Sequence, residues 1–282
     1  MELWLVKYQN HCRLAAFIII FLVLALWETK SAAWPWIENR RDRWMRHLGI
    51  SLTSAIFIRI VFPFMTVTTA WIAHTKGVGY FNRSPAPLAV EALVSLLLLD
   101  LIMYFQHRMM HRISLFWRLH RVHHMDRQLD LSTGLRFHPI EAAFTTGFKL
   151  LVIAFIGAPV WVVLLYEIML NAMTMFVHMN IFVAPKTDLW LRWFIVTPNM
   201  HRIHHSDFPR ETNSNYGFIL SCWDKILGSY TARPITGEMK VSVGLQDYRD
   251  KKYQTFENML LIPFNLKRLK VRHKKRLPSR IA

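Results

Sequence analysis

The chain alternates long apolar stretches with short polar ones. Four stretches consist mostly of apolar residues, at positions 14–27, 48–73, 88–106 and 142–177. A helix that crosses a bilayer needs about 20 such residues, so the first three stretches each predict one span. The fourth is too long for one span and contains Gly157 and Pro159, which interrupt a helix. The pattern predicts an all-α integral membrane protein with four to five membrane helices, the last pair forming a hairpin.

The composition agrees with a membrane protein that also meets charged surfaces. Hydrophobic residues make up 53% of the 282 residues, while 35 Lys and Arg against 18 Asp and Glu give a net charge of +17. Long apolar runs beside a basic C-terminal segment fit anionic lipid headgroups better than nucleic acid. The two cysteines, Cys12 and Cys222, predict neither a disulfide framework nor a thiolate metal site. We therefore expect a bilayer as partner and no nucleic acid.

The basic residues predict which face of the membrane each loop occupies. The loop after the first apolar stretch carries five of them: Lys30, Arg40, Arg41, Arg43 and Arg46. The loop after the second stretch carries only Lys76 and Arg83. Because basic loops stay in the cytoplasm, the first loop, the stretches after residues 106 and 177, and the basic C-terminal segment are predicted to be cytoplasmic. The first apolar stretch lacks a following cleavage site, which predicts a retained anchor. A short chain without a targeting extension leads us to expect the bacterial inner membrane.

Histidines are concentrated in the second half of the chain. Ten of the fourteen are candidate metal ligands: His107, His111, His120, His123, His124, His138, His178, His201, His204 and His205. The pattern His-x-x-His-His occurs twice, in "LHRVHHMD" from Leu119 and in "MHRIHHSD" from Met200. Residues three and four apart share one face of a helix, so each pattern predicts a patch of imidazoles.

Clustered imidazoles are typical of a transition-metal site. Imidazole is the commonest protein ligand for such ions, whereas unligated clusters would repel one another when protonated. Eight to ten ligands exceed the needs of one ion, so the sequence predicts a two-metal site. The spacing alone leaves iron, zinc, manganese and cobalt open.

Two kinds of polar residue near the histidines have alternative interpretations. Four carboxylates are candidates for orienting the imidazoles, or for capping helices and pairing with arginines: Asp100, Asp126, Asp130 and Asp207. The segment "NSNYG" at 213–217 is a candidate contact for a substrate head group, but Asn and Gly first of all favour a turn. The substrate-binding residues remain open.

The histidine motifs resemble those of the fatty acid hydroxylase and sterol desaturase superfamily, which are membrane-bound, non-haem di-iron oxygenases. The similar segments are "DLIMYFQHRMMH", "LHRVHHMD", "GLRFHPIE", "VHMNI" and "TPNMHRIHHSDFPRETNSNYG", in that order over roughly residues 100–227. The family has three histidine boxes, which here are the His-x-x-x-His of His107 and His111 and the two His-x-x-His-His patterns. The resemblance implies that the histidines of these boxes bind two iron ions, with His138 and His178 as additional ligands. It also implies membrane helices with a cytosolic helical cap that holds the metals.

The resemblance further implies dioxygen-dependent hydroxylation or desaturation of a membrane lipid, such as a sterol or a fatty acyl chain. Zinc in the purified protein is also compatible with the ligands. We divide the chain accordingly into N-terminal membrane helices and loops (1–87), a catalytic region (88–230) and a basic cytoplasmic tail (231–282). The histidine cage itself is the predicted catalytic centre, and no separate acid or base is assigned.

Other functions remain in competition with this one. The chain has features of an acyl desaturase or alkane hydroxylase of the other histidine-box family, although "RFHP" and "NSNYG" favour the hydroxylase and sterol group. A metal transporter would place polar ligands near the bilayer midplane, whereas these motifs lie at predicted membrane ends. A non-catalytic metal-binding protein is the third alternative.

The sequence contains no motif that would deliver electrons to such a site. A Gly-rich dinucleotide motif, a haem-attachment motif and an iron–sulfur cysteine set are all missing. An oxygenase of this kind therefore needs a separate electron donor, which we expect to be a cytochrome or a ferredoxin with its reductase.

Overall fold

The computed structural model describes residues 1–265, and these residues are mostly helical. They contain no β-strand, only isolated bridges that join Ala32 with Ile181, Ile195 with Leu220, and Ser206 with Val243. The basic run "KRLKVRHKKRLPSR" of the predicted tail lies outside the described residues.

Long helices occur only up to residue 178, and the α-helices after that point are all short. The α-helices of the described residues are α1 Glu2–Ser31, α2 Arg40–Val61, α3 Thr66–Thr75, α4 Tyr80–Arg83, α5 Leu88–Arg112, α6 Ser114–His124, α7 Pro139–Ile156, α8 Val160–His178, α9 Pro185–Leu191, α10 Pro198–His204, α11 Pro209–Thr212, α12 Cys222–Ile226 and α13 Phe256–Leu261. The 3₁₀ turns are Leu131–Leu135, Glu238–Lys240, Gln246–Tyr248, Lys251–Gln254 and Ile262–Phe264.

Five segments are long and apolar enough to cross a membrane, which confirms the predicted class. They are α1, the stretch Arg40–Arg83, α5, α7 and α8. The predicted hairpin is confirmed as α7 and α8, which meet at Gly157 in the left-handed conformation (φ 71°). Its tip lies against Gly79, where added side chains would clash.

The second apolar stretch is not one helix. It breaks into α2 and α3 around Pro63, because proline has no N–H to donate and restricts the residue before it. The two charges inside apolar stretches also have partners. Lys149 donates to Glu167 over 2.6 Å, and Arg59 is exposed but hydrogen-bonds Asn10.

The N-terminal region is joined to the segment after α6 by a buried ion network. Arg43 of α2 donates to both carboxylate oxygens of Asp126 (2.8 and 2.9 Å) and to Asp130 (2.9 Å). Arg43 and both carboxylates are completely buried. Burial raises the pKa of Asp126, but Arg43 and Arg136 outweigh it and hold that pKa below its ordinary value.

The described part of the predicted tail packs on the same region. Tyr248, Met259 and Ile262 are buried in one cluster with Ile50 of α2 and Val122 of α6. Residues 241–264 therefore form part of the fold beside the histidine-bearing helices.

Candidate metal centre

Four helices bring nine of the ten candidate histidines together. The C-terminal end of α5 carries two, α6 carries three, and the end of α8 carries one. The other three lie on α10 and at its C-terminal cap. None of the nine side chains is more than 9% exposed. They form two groups, and within each group the ligand atoms lie within 4.8 Å of one another.

The first group contains five histidines: His107, His111, His120, His124 and His204. The Nε2 atoms of His107 and His120 are 3.1 Å apart, and those of His120 and His124 are 3.2 Å apart. The Nε2 atom of His204 is buried and has no hydrogen-bond partner in the described part of the chain, nor has either ring nitrogen of His111. Such nitrogens converging on one point fit a metal ion.

The second group contains four histidines: His123, His178, His201 and His205. The Nε2 atom of His178 lies 3.0 Å from those of His123 and His201, and 3.1 Å from that of His205. Four imidazoles at this spacing fit a second ion. The two groups match the predicted number of metals.

Each His-x-x-His-His pattern serves both groups. In the first pattern, His120 and His124 point to the five-histidine group and His123 to the other. In the second pattern, His201 and His205 point to the four-histidine group, and His204 crosses to the first. Residues i and i+4 lie one turn apart, while i+3 is displaced around the helix. The repeated pattern thus supplies a pair to one ion and a single ligand to the other.

Most of the groups that orient the imidazoles are backbone carbonyls. The Nδ1 atoms of His107, His178 and His204 lie 2.8, 2.6 and 2.7 Å from the carbonyl oxygens of residues 216, 174 and 214. When Nδ1–H donates to a carbonyl, Nε2 carries no hydrogen and its lone pair is free to bind a metal.

Glu141 is the carboxylate that contacts a histidine of the centre. Its Oε1 atom lies 2.6 Å from His120 Nδ1, and its side chain is buried. The sequence analysis did not identify this residue. The available signal was its place in the first turn of α7, two residues after the "RFHP" motif, where the helix points it back to α6.

The segment 213–217 forms a turn, as its composition favours. Asn215 has a positive φ of 52°, and its side-chain amide donates to the carbonyls of Met200 and Thr231. The carboxylate of Asp224 accepts from the backbone N–H groups of Tyr216 and Gly217. This clamp fixes the carbonyls that orient His107 and His204, a role that the sequence analysis did not assign to Asp224.

His138 does not join either group. Its Nδ1 atom accepts from the N–H of Ile140 at the start of α7, and its Nε2 atom lies 3.2 Å from the carbonyl oxygen of Leu260. The histidine caps a helix because the following Pro139 begins α7 and holds its side chain beside the first turn. The candidate centre therefore contains nine of the ten predicted histidines.

The four candidate carboxylates bind other partners, and none hydrogen-bonds a histidine of the centre within residues 1–265. Asp126 and Asp130 hold Arg43. Asp207 accepts from Arg249 over 3.0 Å. The carboxylate of Asp100 accepts from the side chain of Trp223 and from the backbone N–H groups of residues 219 and 220. Asp126, Asp130 and Asp207 thus form the arginine pairs of the alternative interpretation, whereas Asp100 binds a tryptophan and backbone N–H groups.

The buried environment favours the neutral form of five of these imidazoles. Burial lowers the pKa of His204 to about 3 and those of His123, His124, His201 and His205 well below their ordinary value. Neutral imidazole is the form that binds metal. The donor set, its spacing and its unpartnered nitrogens therefore fit two transition-metal ions.

Comparison with known proteins identifies the region that carries this centre. Residues 92–229 match the family model described as fatty acid hydroxylase. Residues 92–229 belong to the fatty acid hydroxylase family. Eight of the nine histidines stand in the matched boxes, and His178 lies between them, so the resemblance seen in the sequence is confirmed.

Relatives of this fatty acid hydroxylase region are named for lipid oxidation. The ornithine lipid hydroxylase OlsE of Rhizobium tropici is 29% identical over 187 residues, which cover 66% of this chain and 54% of OlsE. The alkylglycerol monooxygenase of Xenopus tropicalis is 31% identical over 45% of this chain and 27% of its own length. The lathosterol oxidase of Mus musculus is 28% identical over 54% of this chain and 49% of its own length.

The chain thus spans about half the length, or less, of the curated relatives it matches. No solved structure matches it.

Proposed function

We propose that this protein is an oxidoreductase that uses two iron ions and dioxygen to oxidise an unactivated C–H bond of a membrane lipid, by hydroxylation or desaturation. The observation that carries the proposal is the pair of buried groups, one of five histidines and one of four, within a region that matches the fatty acid hydroxylase family. Bound iron would supply the activation of dioxygen and the attack on the C–H bond, which no side chain of this chain can perform.

The residues of the chain hold and insulate that centre. The nine imidazoles converge in two groups, and Glu141 with the carbonyls of residues 174, 214 and 216 fixes the orientation of four of them. Phe218 and Phe137 cover the centre, with ring centroids 4.9 Å from His107 and 4.5 Å from His123. Apolar cover of this kind excludes water and limits side reactions.

The substrate we propose is a lipid with an apolar body. The names of the relatives point to ornithine lipid, alkylglycerol and lathosterol as the substrates of those proteins. These compounds share an apolar portion that resides in the bilayer, and the five candidate spans would place this chain there. A lipid would approach the centre laterally between helices.

A separate protein would deliver the electrons, and we propose that it docks at the end of the molecule where α6 and α10 lie. The basic residues at the end of α1 and the start of α2 support a cytoplasmic position for this end, and we propose the bacterial inner membrane as the location. We propose residues 88–230 as the catalytic region. Arg43, which precedes this region in the chain, stabilises it through its ion pairs with Asp126 and Asp130.

The first test is the metal content of the detergent-purified protein, measured by elemental analysis against a quantified protein concentration. We expect about two metal ions per chain, with loss of metal in His204→Ala. Iron would justify a screen of lipid substrates under oxygen with a reductant. Zinc alone would call for anaerobic purification with iron, and no stoichiometric metal after that would favour a non-catalytic scaffold and contradict the proposal.

A further inference from the structure

The segment around α9 has its polar and apolar sides reversed relative to a water-facing helix. Trp190 and Trp193 are 62% and 70% exposed, whereas Asp188 and Arg192 are 1% and 2% exposed. A helix at a water-facing surface points its charges outward and its apolar residues toward the core. Here Asp188 and Arg192 face the protein and the tryptophans face outward, while Lys186 at the start of the helix is exposed.

The two buried charges of this segment, Asp188 and Arg192, are paired with each other. Arg192 and Asp188 form an ion pair of 2.6 Å, and the hydroxyl of Thr197 donates to Asp188 over 2.5 Å. The carbonyl of Arg192 accepts from Ser221 and from the ammonium of Lys225. Charged side chains at membrane depth pair in this way and turn to the protein interior.

The exposed side chains form one continuous apolar surface. It consists of Leu189, Trp190, Trp193, Phe194 and Ile226, which are 52% to 70% exposed. Trp190 and Phe194 pack with ring centroids 5.5 Å apart, and Lys225 lies 4.4 Å above the ring of Trp193. Lys225 precedes Ile226, so α9 and α12 contribute to the same surface.

This surface lies beside the middle of a membrane helix. The segment that carries α12 is bound to Asp100, twelve residues from either end of α5, through Trp223 and two backbone N–H groups. Neighbouring Ile219 is buried in one cluster with Leu99 of α5 and Val160 of α8. On α5 itself, the exposed Leu98 and Phe105 flank the level of Asp100. The surface is thus at the depth of side chains that face lipid.

We propose that Leu189, Trp190, Trp193, Phe194 and Ile226 form a membrane-inserted surface, which enters the acyl layer of the bilayer without spanning it. Three observations favour lipid over a protein partner: its place beside the middle of α5, its reversed polarity, and the ion pair between the two buried charges beneath it. Tryptophan and a neighbouring lysine are typical of such interfacial segments. Part of the stretch between α8 and α10 then lies in the bilayer, although the basic loops predict that stretch to be cytoplasmic.

The test is a depth measurement with spin labels on the full chain in liposomes of phosphatidylethanolamine and phosphatidylglycerol. Labels are attached singly through Trp193→Cys and Ile226→Cys, in a background of Cys12→Ser and Cys222→Ser. Leu22→Cys on the exposed face of α1 is the lipid-facing control, and Lys251→Cys is the water-facing control. Collision rates with dioxygen, which concentrates in lipid, and with a water-soluble nickel chelate are compared.

We expect the ratio of oxygen to nickel collision rates at positions 193 and 226 to match that at position 22. A ratio like that at position 251 would overturn the proposal. Protection from both reagents would also overturn it, because a protein would then cover the surface. Retained metal content in each labelled variant would show that the fold is intact.

Discussion

The rings of His124 and His205 stack face to face, with centroids 4.3 Å apart and planes inclined by 16°. The two side chains serve different groups, since His124 belongs to the five-histidine group and His205 to the four-histidine group. They also come from the two different His-x-x-His-His patterns. This contact joins the groups into one centre, so a change in one group is expected to affect the other.

Removal of a single candidate ligand should therefore reduce metal binding at both histidine groups. We expect His123→Ala and His204→Ala to lose metal and lipid oxidation together while the membrane helices persist, because one truncation removes a donor without altering the apolar core. Elemental analysis and circular dichroism measure the two effects. His138→Ala is the matched control, since His138 lies outside both groups, and it should retain metal. Turnover that persists in both ligand variants would contradict the assignment.

Glu141 should govern the affinity of the five-histidine group. Replacing it in Glu141→Gln removes the carboxylate that fixes the proton on His120 Nδ1, 2.6 Å away. Loss of such a partner typically costs about 10–100-fold in metal affinity. Competition with a chelator of known affinity measures the change, and Glu257→Gln at an exposed position is the control. Equal affinities of Glu141→Gln and the parent protein would show that Glu141 is structural only.

The sequence predicted the helical membrane class and the clustering of nine histidines because both depend on local patterns. Long apolar runs have one stable form in a bilayer. The i, i+3 and i+4 spacing predicts which imidazoles share a face. The same spacing did not predict that His123 and His204 cross to the opposite groups, because that depends on how α6 and α10 face each other.

The residues that orient the ligands were harder to predict for the same reason. Asp126 follows His124 by two positions, yet it turns away to a buried arginine from another region of the chain. Glu141 is 21 residues from His120 and reaches it only because α7 packs beside α6. Proximity in sequence therefore misidentified the orienting carboxylates, and His138 shows that a histidine beside a proline can serve as a helix cap.

The metal-free protein should lose stability as pH falls below about 6.5. Burial lowers the pKa of His204 to about 3, and those of His123, His124, His201 and His205 fall well below the ordinary value. Below pH 6.5 the unfolded chain therefore binds more protons than the folded one. The contribution of these histidines to the free energy of unfolding is complete above pH 6.5 and is lost on acidification toward the folded pKa values. Each buried histidine contributes up to about 1.4 kcal/mol per pH unit to that loss.

Thermal unfolding of chelator-treated protein between pH 8 and pH 5 measures this dependence. The slope should be smaller in His204→Ala, which has one histidine fewer to protonate. A melting temperature that is independent of pH across this window would contradict the buried, neutral state of the histidines.

Loss of Arg43 should destabilise the centre from a distance. In Arg43→Met, Asp126 and Asp130 remain buried without their guanidinium partner, and breaking a buried pair in this way costs about 3–5 kcal/mol. The apolar side chain keeps much of the arginine's volume, so the missing charge is the main change. We expect a lower melting temperature together with weaker metal retention, because Asp126 anchors the chain two residues after His124. Arg41→Met is the matched control at an exposed position of the same helix and should change neither quantity. Equal melting temperatures of the two variants would show that the ion network contributes little, and that the packing of α2 alone holds the segment after α6.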